Sequence, residues 1–158
     1  MKRVLALLAL YLTVAAPVQA APVLKIINFT ADWCPNCLVL NPRLDEAISA
    51  FPNGSIERID LDLTAAGRGA TEAQIARAEE QAARLAMAHK ADDLWSSFGG
   101  TTGIAVAIAA DTGEAIRCFH RPMRADDIQQ HLRLAKLLVE HASPGARKPN
   151  GTNCPDPL

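Results

Sequence analysis

The sequence predicts an α/β fold in which a central, mixed four-stranded sheet is flanked by helices on both faces. Short apolar runs alternate with helical patterns in the order β-α-β-α(α)-β-β-α. The first β-α-β unit joins two parallel strands by a right-handed crossover, whereas the last two strands are close enough to form an antiparallel hairpin. With 158 residues, the chain is long enough for one domain with its own core.

The N-terminal segment has the composition of a secretory signal peptide. Lys2 and Arg3 precede an apolar run, and small residues ending at Ala20 offer a cleavage site. A retained membrane anchor is the alternative, but the run of about twelve apolar residues is shorter than the ~20 that a spanning helix needs. We therefore expect residues 1–20 to be cleaved and the protein to be periplasmic or secreted, with no stable membrane insertion afterwards.

Charge excludes two classes of partner. The formal net charge is −1, and removal of the two basic residues of the leader changes it from −1 to −3. Neither value provides the basic surface that nucleic acid or anionic lipid requires. We expect partners to be proteins or small molecules, and we expect no cofactor. The domain is predicted over residues 21–142, with an irregular tail over 143–158.

The first strand and helix follow from a change of apolar spacing. The run from Val23 to Phe29 is rich in branched residues and predicts a buried strand. From Pro35 the spacing becomes helical, and Pro52-Asn53-Gly54 ends this helix. Its predicted apolar stripe consists of Leu38, Leu40, Leu44, Ala47, Ile48 and Phe51.

The middle of the chain predicts a second strand and two helices. Residues 55–63, SIERIDLDL, alternate between apolar and polar side chains, as strands do. After a loop of small residues, Thr71 is placed to cap a helix whose pattern weakens around His89. Helical spacing resumes at Asp92 and stops at Phe98-Gly99-Gly100.

The last part predicts a hairpin, a helix and the tail. Residues 104–109 are continuously apolar, Asp111-Thr112-Gly113 forms a turn, and residues 114–120 are the partner strand. Residues 126–141 form an amphipathic helix, for which we predict an apolar stripe. Its members are Ile128, Leu132, Leu134, Leu137, Leu138 and Val139. The tail is rich in Pro, Gly and Asn and predicts no regular element.

Four cysteines allow three pairings, and export favours disulfides over metal sites. Cys34 and Cys37 are separated by two residues and are expected to pair, which leaves Cys118 with Cys154. A structural disulfide there ties the tail across the final helix, with a stabilisation of roughly 3–4 kcal/mol in the chain-entropy model. The alternative is a second redox pair that relays electrons to the first.

Cys34 is placed directly before a helix, and the N-terminus of a helix favours the thiolate over the thiol. Pro35 suits the first helical turn, since no amide donor is needed there. The free amides and the positive end of the helix dipole lower a thiol pKa from about 8.5 to roughly 3.5–7.5 in CxxC motifs. Cys34 is therefore the expected attacking sulfur, Cys37 the resolving one, and Trp33 a wall of the site.

The segment VLKIINFTADWCPNCLVLNP resembles the active-site segment of thioredoxin-fold proteins. It contains an apolar strand, a small-acidic-Trp triplet, CxxC and then Pro42, five residues after the second cysteine. The segment LWSSFGGTTGIAVAIAADTGEAI is similar to that family's second half, so the resemblance covers about residues 22–142. It is closest to periplasmic thiol-disulfide proteins, including the C-terminal domains of membrane disulfide reductases.

The resemblance implies a thioredoxin-like fold and an exported protein-disulfide oxidoreductase. Its implied catalytic residues are Cys34 and Cys37, and its implied partners are proteins with thiols or disulfides. A membrane or periplasmic redox partner would exchange electrons with it. The Pro35-Asn36 pair tunes the reduction potential through thiolate stability, and the sequence leaves the direction of electron flow open.

Three features depart from the family pattern. Asn28 replaces a buried acid and, as a neutral amide, cannot be a base for the resolving cysteine. Ile104 stands where the family has a cis-proline, so we expect a trans peptide and a reshaped substrate groove. Residues 65–90 form an inserted helix before the second core helix, either as a lid or docking surface or as additional packing.

These departures motivate an alternative function. The chain would then be a thioredoxin-like binding module with little or no redox turnover, which docks a partner or holds a metal. Two thiolates and one histidine suffice to bind Zn²⁺ or Cu⁺. The four histidines of the chain are scattered, however, and a single CxxC is a weak metal signal. We therefore predict no metal site.

Overall fold

A computed structural model describes residues 21–148 and 151–154, and within them the elements follow the predicted order. The predicted signal peptide over residues 1–20 lies outside the described residues. The elements are β1 (Leu24–Thr30), α1 (Pro35–Ser49), β2 (Ile56–Asp62), a 3₁₀ turn (Thr64–Ala66), α2 (Glu72–Ala88), α3 (Asp92–Phe98), β3 (Ile104–Ala109), β4 (Ala115–His120) and α4 (Ala125–His141).

The strands form one sheet in the order β2-β1-β3-β4. β1 runs parallel to β2, with Asn28 opposite Asp60, and antiparallel to β3, with Phe29 opposite Ile104. β3 and β4 pair antiparallel as the predicted hairpin. The prediction of a mixed four-stranded sheet is confirmed, and the two central strands are buried on both faces.

The sheet separates two apolar layers, because successive side chains of a strand point to opposite faces. Ile27 and Phe29 of β1 pack with α2 and α3, in the layer that also contains the first three cysteines. Leu24 and Ile26 pack with α1 and α4. Each such buried side chain contributes about 1.5–3 kcal/mol of hydrophobic free energy. The helices therefore cover both faces, as predicted.

Helix α1 begins at Pro35 and continues through Pro42 to Ser49, but its buried face differs from the predicted stripe. Leu40, Leu44 and Ala47 are buried, whereas Leu38 is 66% exposed. The assignment of Leu38 to the apolar stripe is wrong. Two residues turn a helix by about 200°, so Leu38 faces away from Leu40, and Cys37 takes the buried position instead.

The same geometry corrects two residues of the last helix. Ile128, Leu132 and Ala135 form the buried face of α4. Leu134 and Leu137, which the periodicity assigns to the apolar stripe, are 54% and 53% exposed. They lie two residues along from buried positions, about 200° around the helix, and so are not on its buried face.

Two kinds of contact attach the tail to the domain. A disulfide joins Cys154 to Cys118 in β4, and the Cys118 amide donates a hydrogen bond of 3.0 Å to the Thr152 carbonyl. The guanidinium of Arg147 is buried and donates to both carboxylate oxygens of Asp111, at 2.7 and 2.9 Å. The tail thus lies along the free edge of β4 and over the β3–β4 turn.

The ion pair between Arg147 and Asp111 makes stability depend on pH. Hydrogen bonds from Arg147 lower the pKa of Asp111, so this stabilisation exists above the unfolded Asp pKa of about 3.9 and is lost as pH falls through the lower folded pKa. We expect Arg147→Gln to lower the free energy of unfolding at about pH 7 and to have a much smaller effect at about pH 2. Urea unfolding at both pH values measures this difference.

Arg124→Gln is the matched control, because Arg124 is 78% exposed and its partner Asp126 is 72% exposed. Its effect should be small at both pH values. An Arg147→Gln deficit that is equally large in acid and at neutral pH would contradict the assigned role of the ion pair.

Candidate functional site

The candidate site lies at the carboxyl end of β1, where the chain enters α1. Cys34 is the residue before the first helical turn, and Pro35 is the first residue of the helix. Cys34 and Cys37 form a disulfide, with their Cα atoms 5.2 Å apart. The Cys37 backbone amide donates to Cys34 Sγ at 3.1 Å. This donor remains in place when the disulfide opens and is directed at any negative charge on that sulfur.

Both cysteines are nearly buried, but their surroundings differ. Cys34 is 3% and Cys37 1% exposed. Cys37 Sγ lies 3.9 Å from the Phe29 carbonyl oxygen, inside the domain. Cys34 is flanked in the chain by Trp33, which is 47% exposed, and by exposed Pro35 and Asn36. The residues on either side of Cys34 are therefore at the surface, whereas Cys37 lies deeper in the domain.

Gly103 approaches the disulfide closely, and the predicted site residue Ile104, next to it, belongs to the same buried cluster as both cysteines. Ile104 is the buried first residue of β3, and every peptide bond in residues 21–148 and 151–154 is trans. Gly103 has a φ of 86°, and a Cβ there would lie 2.6 Å from Asn36 Cβ and 3.4 Å from Cys34 Sγ. Its amide donates to the Phe29 carbonyl at 2.8 Å. A glycine at this position leaves free the space beside Cys34 Sγ that a Cβ would occupy.

Sequence reasoning missed Gly103 because the family pattern points to the next residue, the one that replaces proline. A signal exists in the sequence, since a glycine directly before a buried strand indicates a positive φ or a close approach. Only the folded arrangement identifies the neighbours that it approaches.

The 3₁₀ turn supports the loop that carries Trp33. The Trp33 indole nitrogen donates to the Thr64 carbonyl at 3.1 Å, and the Asp32 amide donates to Thr64 Oγ1 at 2.9 Å. The Thr64 amide in turn donates to Asp62 Oδ1 at 2.8 Å. A Cβ on Gly67 would lie 2.6 Å from Trp33 Cδ1. The start of the predicted inserted segment therefore contacts the site directly.

We expect Gly67→Ala to displace the Trp33 indole. The added methyl occupies the space of the ring and breaks its hydrogen bond to Thr64, a loss of about 0.5–1.5 kcal/mol. The fluorescence of Trp33, recorded in a Trp95→Phe background, should shift. Gly69→Ala is the control: it has a φ of 87° but no atom within 4 Å, so it should lower stability without changing the Trp33 spectrum. Equal spectra for both variants would contradict the contact.

Asn28 belongs to a polar network beneath the site. Its side chain is 1% exposed, and its amide nitrogen donates to Asp60 Oδ1 at 2.7 Å and to Asn41 Oδ1 at 3.1 Å. The Asn41 amide nitrogen donates to Thr30 Oγ1 at 3.0 Å. Asn28 Oδ1 is buried and has no partner among the described residues. The carboxylate of this network is Asp60, on the neighbouring strand and 46% exposed.

The histidines of the domain do not gather at the disulfide. Within the described ranges, no group of three or more His, Cys, Asp or Glu side chains is close enough to share a metal ion. His89 Nδ1 lies 3.3 Å from Lys25 Nζ, and His131 Nε2 lies 3.4 Å from Arg117 Nη2. The described helices also include none that is both long and apolar enough to cross a bilayer.

Comparison with known proteins gives one family match. Residues 14–79 match the Thioredoxin family model. No curated protein matches the sequence significantly.

Three solved structures are similar at low identity. StoA from Bacillus subtilis is 16% identical, with 72% of this chain and 84% of that chain covered and a TM-score of 0.44. A thiol:disulfide interchange protein of the thioredoxin family from Chlorobium tepidum TLS is 17% identical, with 72% and 79% covered and a TM-score of 0.45. Native tryparedoxin I from Crithidia fasciculata is 17% identical, with 77% and 78% covered and a TM-score of 0.37.

The family match covers β1, α1 and β2, together with the disulfide between them. The antiparallel β3–β4 hairpin beside β1 and the helix α4 behind it complete the arrangement that the resemblance implies. The chain is a thioredoxin-fold protein with a CxxC disulfide at the junction of its first strand and first helix.

Proposed function

We propose that the protein catalyses thiol-disulfide exchange with protein substrates through Cys34 and Cys37. The observation that carries the proposal is the Cys37 amide donor, 3.1 Å from Cys34 Sγ at the start of α1. This donor and the helix dipole favour the thiolate of Cys34, which is the nucleophilic form. The absence of a Cβ at Gly103 leaves space next to the same sulfur.

In the reducing direction, the Cys34 thiolate attacks one sulfur of a substrate disulfide and releases the other as a thiolate. The Cys37 sulfur, after losing its proton, then attacks Cys34 Sγ and releases the second substrate thiol. Two electrons pass from the dithiol to the substrate, and the Cys34–Cys37 disulfide is formed. The oxidising direction is the reverse sequence, with a substrate thiolate attacking Cys34.

The decisive measurement is the reduction potential of the Cys34–Cys37 couple in equilibrium with glutathione. A value near about −270 mV indicates a reductase and one near about −120 mV an oxidase, on the scale of known couples. We expect the protein to reduce a model protein disulfide, or to oxidise a model protein dithiol, accordingly. A protein that does neither, although its dithiol forms, would overturn the proposal.

We also propose that the protein acts outside the cytoplasm, with a membrane or periplasmic redox partner that exchanges electrons with it. The N-terminal pattern of two basic residues, an apolar run and a small-residue cleavage site supports this. The test is the mass of the protein recovered from an exporting host. We expect a chain that starts at Ala21, and a cytoplasmic, full-length chain would overturn the proposal.

A further inference from the structure

A cavity of about 250 Å³ lies between β4, α4 and the tail. One part of its lining is apolar, and the other part consists of side chains that carry nitrogen atoms. Among its lining residues are Ile116, Leu134, Leu138, Arg117, His131 and Lys148. The cavity shares no lining residue with the disulfide site, so the proposed exchange reaction does not use it.

The positive charges of this cavity lack partners. Arg147 is paired with Asp111, but in the described part of the chain neither Arg117 nor Lys148 forms an ion pair. Arg117 Nε is buried and has no hydrogen-bond acceptor among residues 21–148 and 151–154. Nε is closed off from the cavity, but the Arg117 side chain lines it with a charge that has no ion-pair partner, and a ligand carboxylate would be a favourable partner for that charge.

At this site His131 is a neutral hydrogen-bond acceptor and does not add a positive charge. Burial, and then the nearby charge of Arg117, lower the pKa of His131, while Asp127 on the same helix raises it. The net lowering favours the neutral ring at neutral pH. Neutral His131 can accept from Arg117 Nη2, 3.4 Å away, and this contact orients the guanidinium. The positive charge of the cavity then comes from Arg117 and Lys148.

We propose that this cavity binds a small amphipathic carboxylate. The carboxylate accepts hydrogen bonds from Arg117 and is attracted by Lys148, and the apolar body packs against Ile116, Leu134 and Leu138. A volume of about 250 Å³ is just below the ~300–1,000 Å³ of typical small-molecule sites, which limits the ligand to one short chain or ring. Because a neutral or fully polar molecule satisfies only one half of the lining, both parts of the ligand are required.

Octanoate is the probe, titrated calorimetrically into the full chain with both disulfides intact. Octanol supplies the same chain without the charge, and acetate supplies the charge without the chain. We expect saturable binding of octanoate and at least about tenfold weaker binding of both comparators, because octanol lacks the charge-assisted hydrogen bond and acetate lacks the apolar chain. Absence of octanoate binding, or equal binding of octanol, would overturn the proposal.

Two matched pairs of variants locate the binding. Arg117→Gln should weaken octanoate binding about tenfold or more, whereas Arg133→Gln, an exposed cation of α4 outside the cavity, should not. Leu134→Gln should weaken it, whereas Leu137→Gln, equally exposed but not in the lining, should not. Leu134 is at the surface, so we expect Leu134→Gln to fold. Its octanoate binding therefore tests the site even if Arg117→Gln does not fold. Equal losses within either pair would refute the site.

Discussion

Cys34→Ser should abolish thiol-disulfide exchange. A serine hydroxyl retains the shape of the side chain and the amide contact from Cys37, but it forms no disulfide and is not ionised near neutrality. The remaining Cys37 thiol is 1% exposed and lies 3.9 Å from the Phe29 carbonyl oxygen inside the domain, so we expect it not to replace Cys34 as the attacking group. The rate at which a model protein disulfide is reduced, or a model protein dithiol is oxidised, should fall to that without protein.

Two further variants make this result specific. Cys37→Ser should retain the attacking sulfur and accumulate a mixed disulfide with the substrate, visible by mass spectrometry. Cys154→Ser, which removes the tail disulfide, should leave exchange largely intact if that disulfide is structural. Trapping on Cys37 in the Cys34→Ser variant would reverse the roles assigned to the two sulfurs. Loss of exchange in Cys154→Ser would favour the relay instead.

Gly103→Ala is expected to slow exchange about tenfold, equivalent to about 1.4 kcal/mol in the activation free energy. A Cβ at this position would lie 2.6 Å from Asn36 Cβ, so the first turn of α1 must shift, and 3.4 Å from Cys34 Sγ, so the space through which a substrate reaches the sulfur narrows. The positive φ of 86° adds a stability cost of about 1–2 kcal/mol for any residue with a Cβ. Exchange rate and urea unfolding are both measured.

Gly100→Ala separates these two effects. Gly100 has a φ of 83°, almost the same, but no atom lies within 4 Å of the position that a Cβ would take there. The variant should lose similar stability and keep the wild-type exchange rate. If both variants slow exchange equally, the cause is backbone strain and not the contact of the new Cβ with Cys34 Sγ. The role assigned to Gly103 at the sulfur would then be wrong.

The sequence was informative about elements and about the first strand-helix junction. The alternation in residues 55–63 and the apolar run in 104–109 predict strands because sheet burial imposes those patterns. The position of Cys34 before Pro35 predicts the start of α1, since proline suits the first helical turn. The nearby disulfide requires no long-range information, because a separation of three residues brings the sulfurs together.

Contacts between distant segments could not be predicted in the same way. The hydrogen bond from Asn28 to Asp60 depends on the register of β1 against β2, and a shift of one residue would separate them. The approach of Gly103 to Asn36 requires β3 to pair with β1 in one particular register. Arg147, in a segment without periodicity, gave no indication that it would be buried.

The course of the tail along β4 also affects how the protein behaves among other copies of itself. An outer strand with free backbone amides and carbonyls is a template on which a second polypeptide can add. Thr152 occupies part of this template, and the bond from Cys154 to Cys118 keeps it there. The segment that looks least ordered in the sequence thus protects the β4 edge of the sheet from edge-to-edge aggregation.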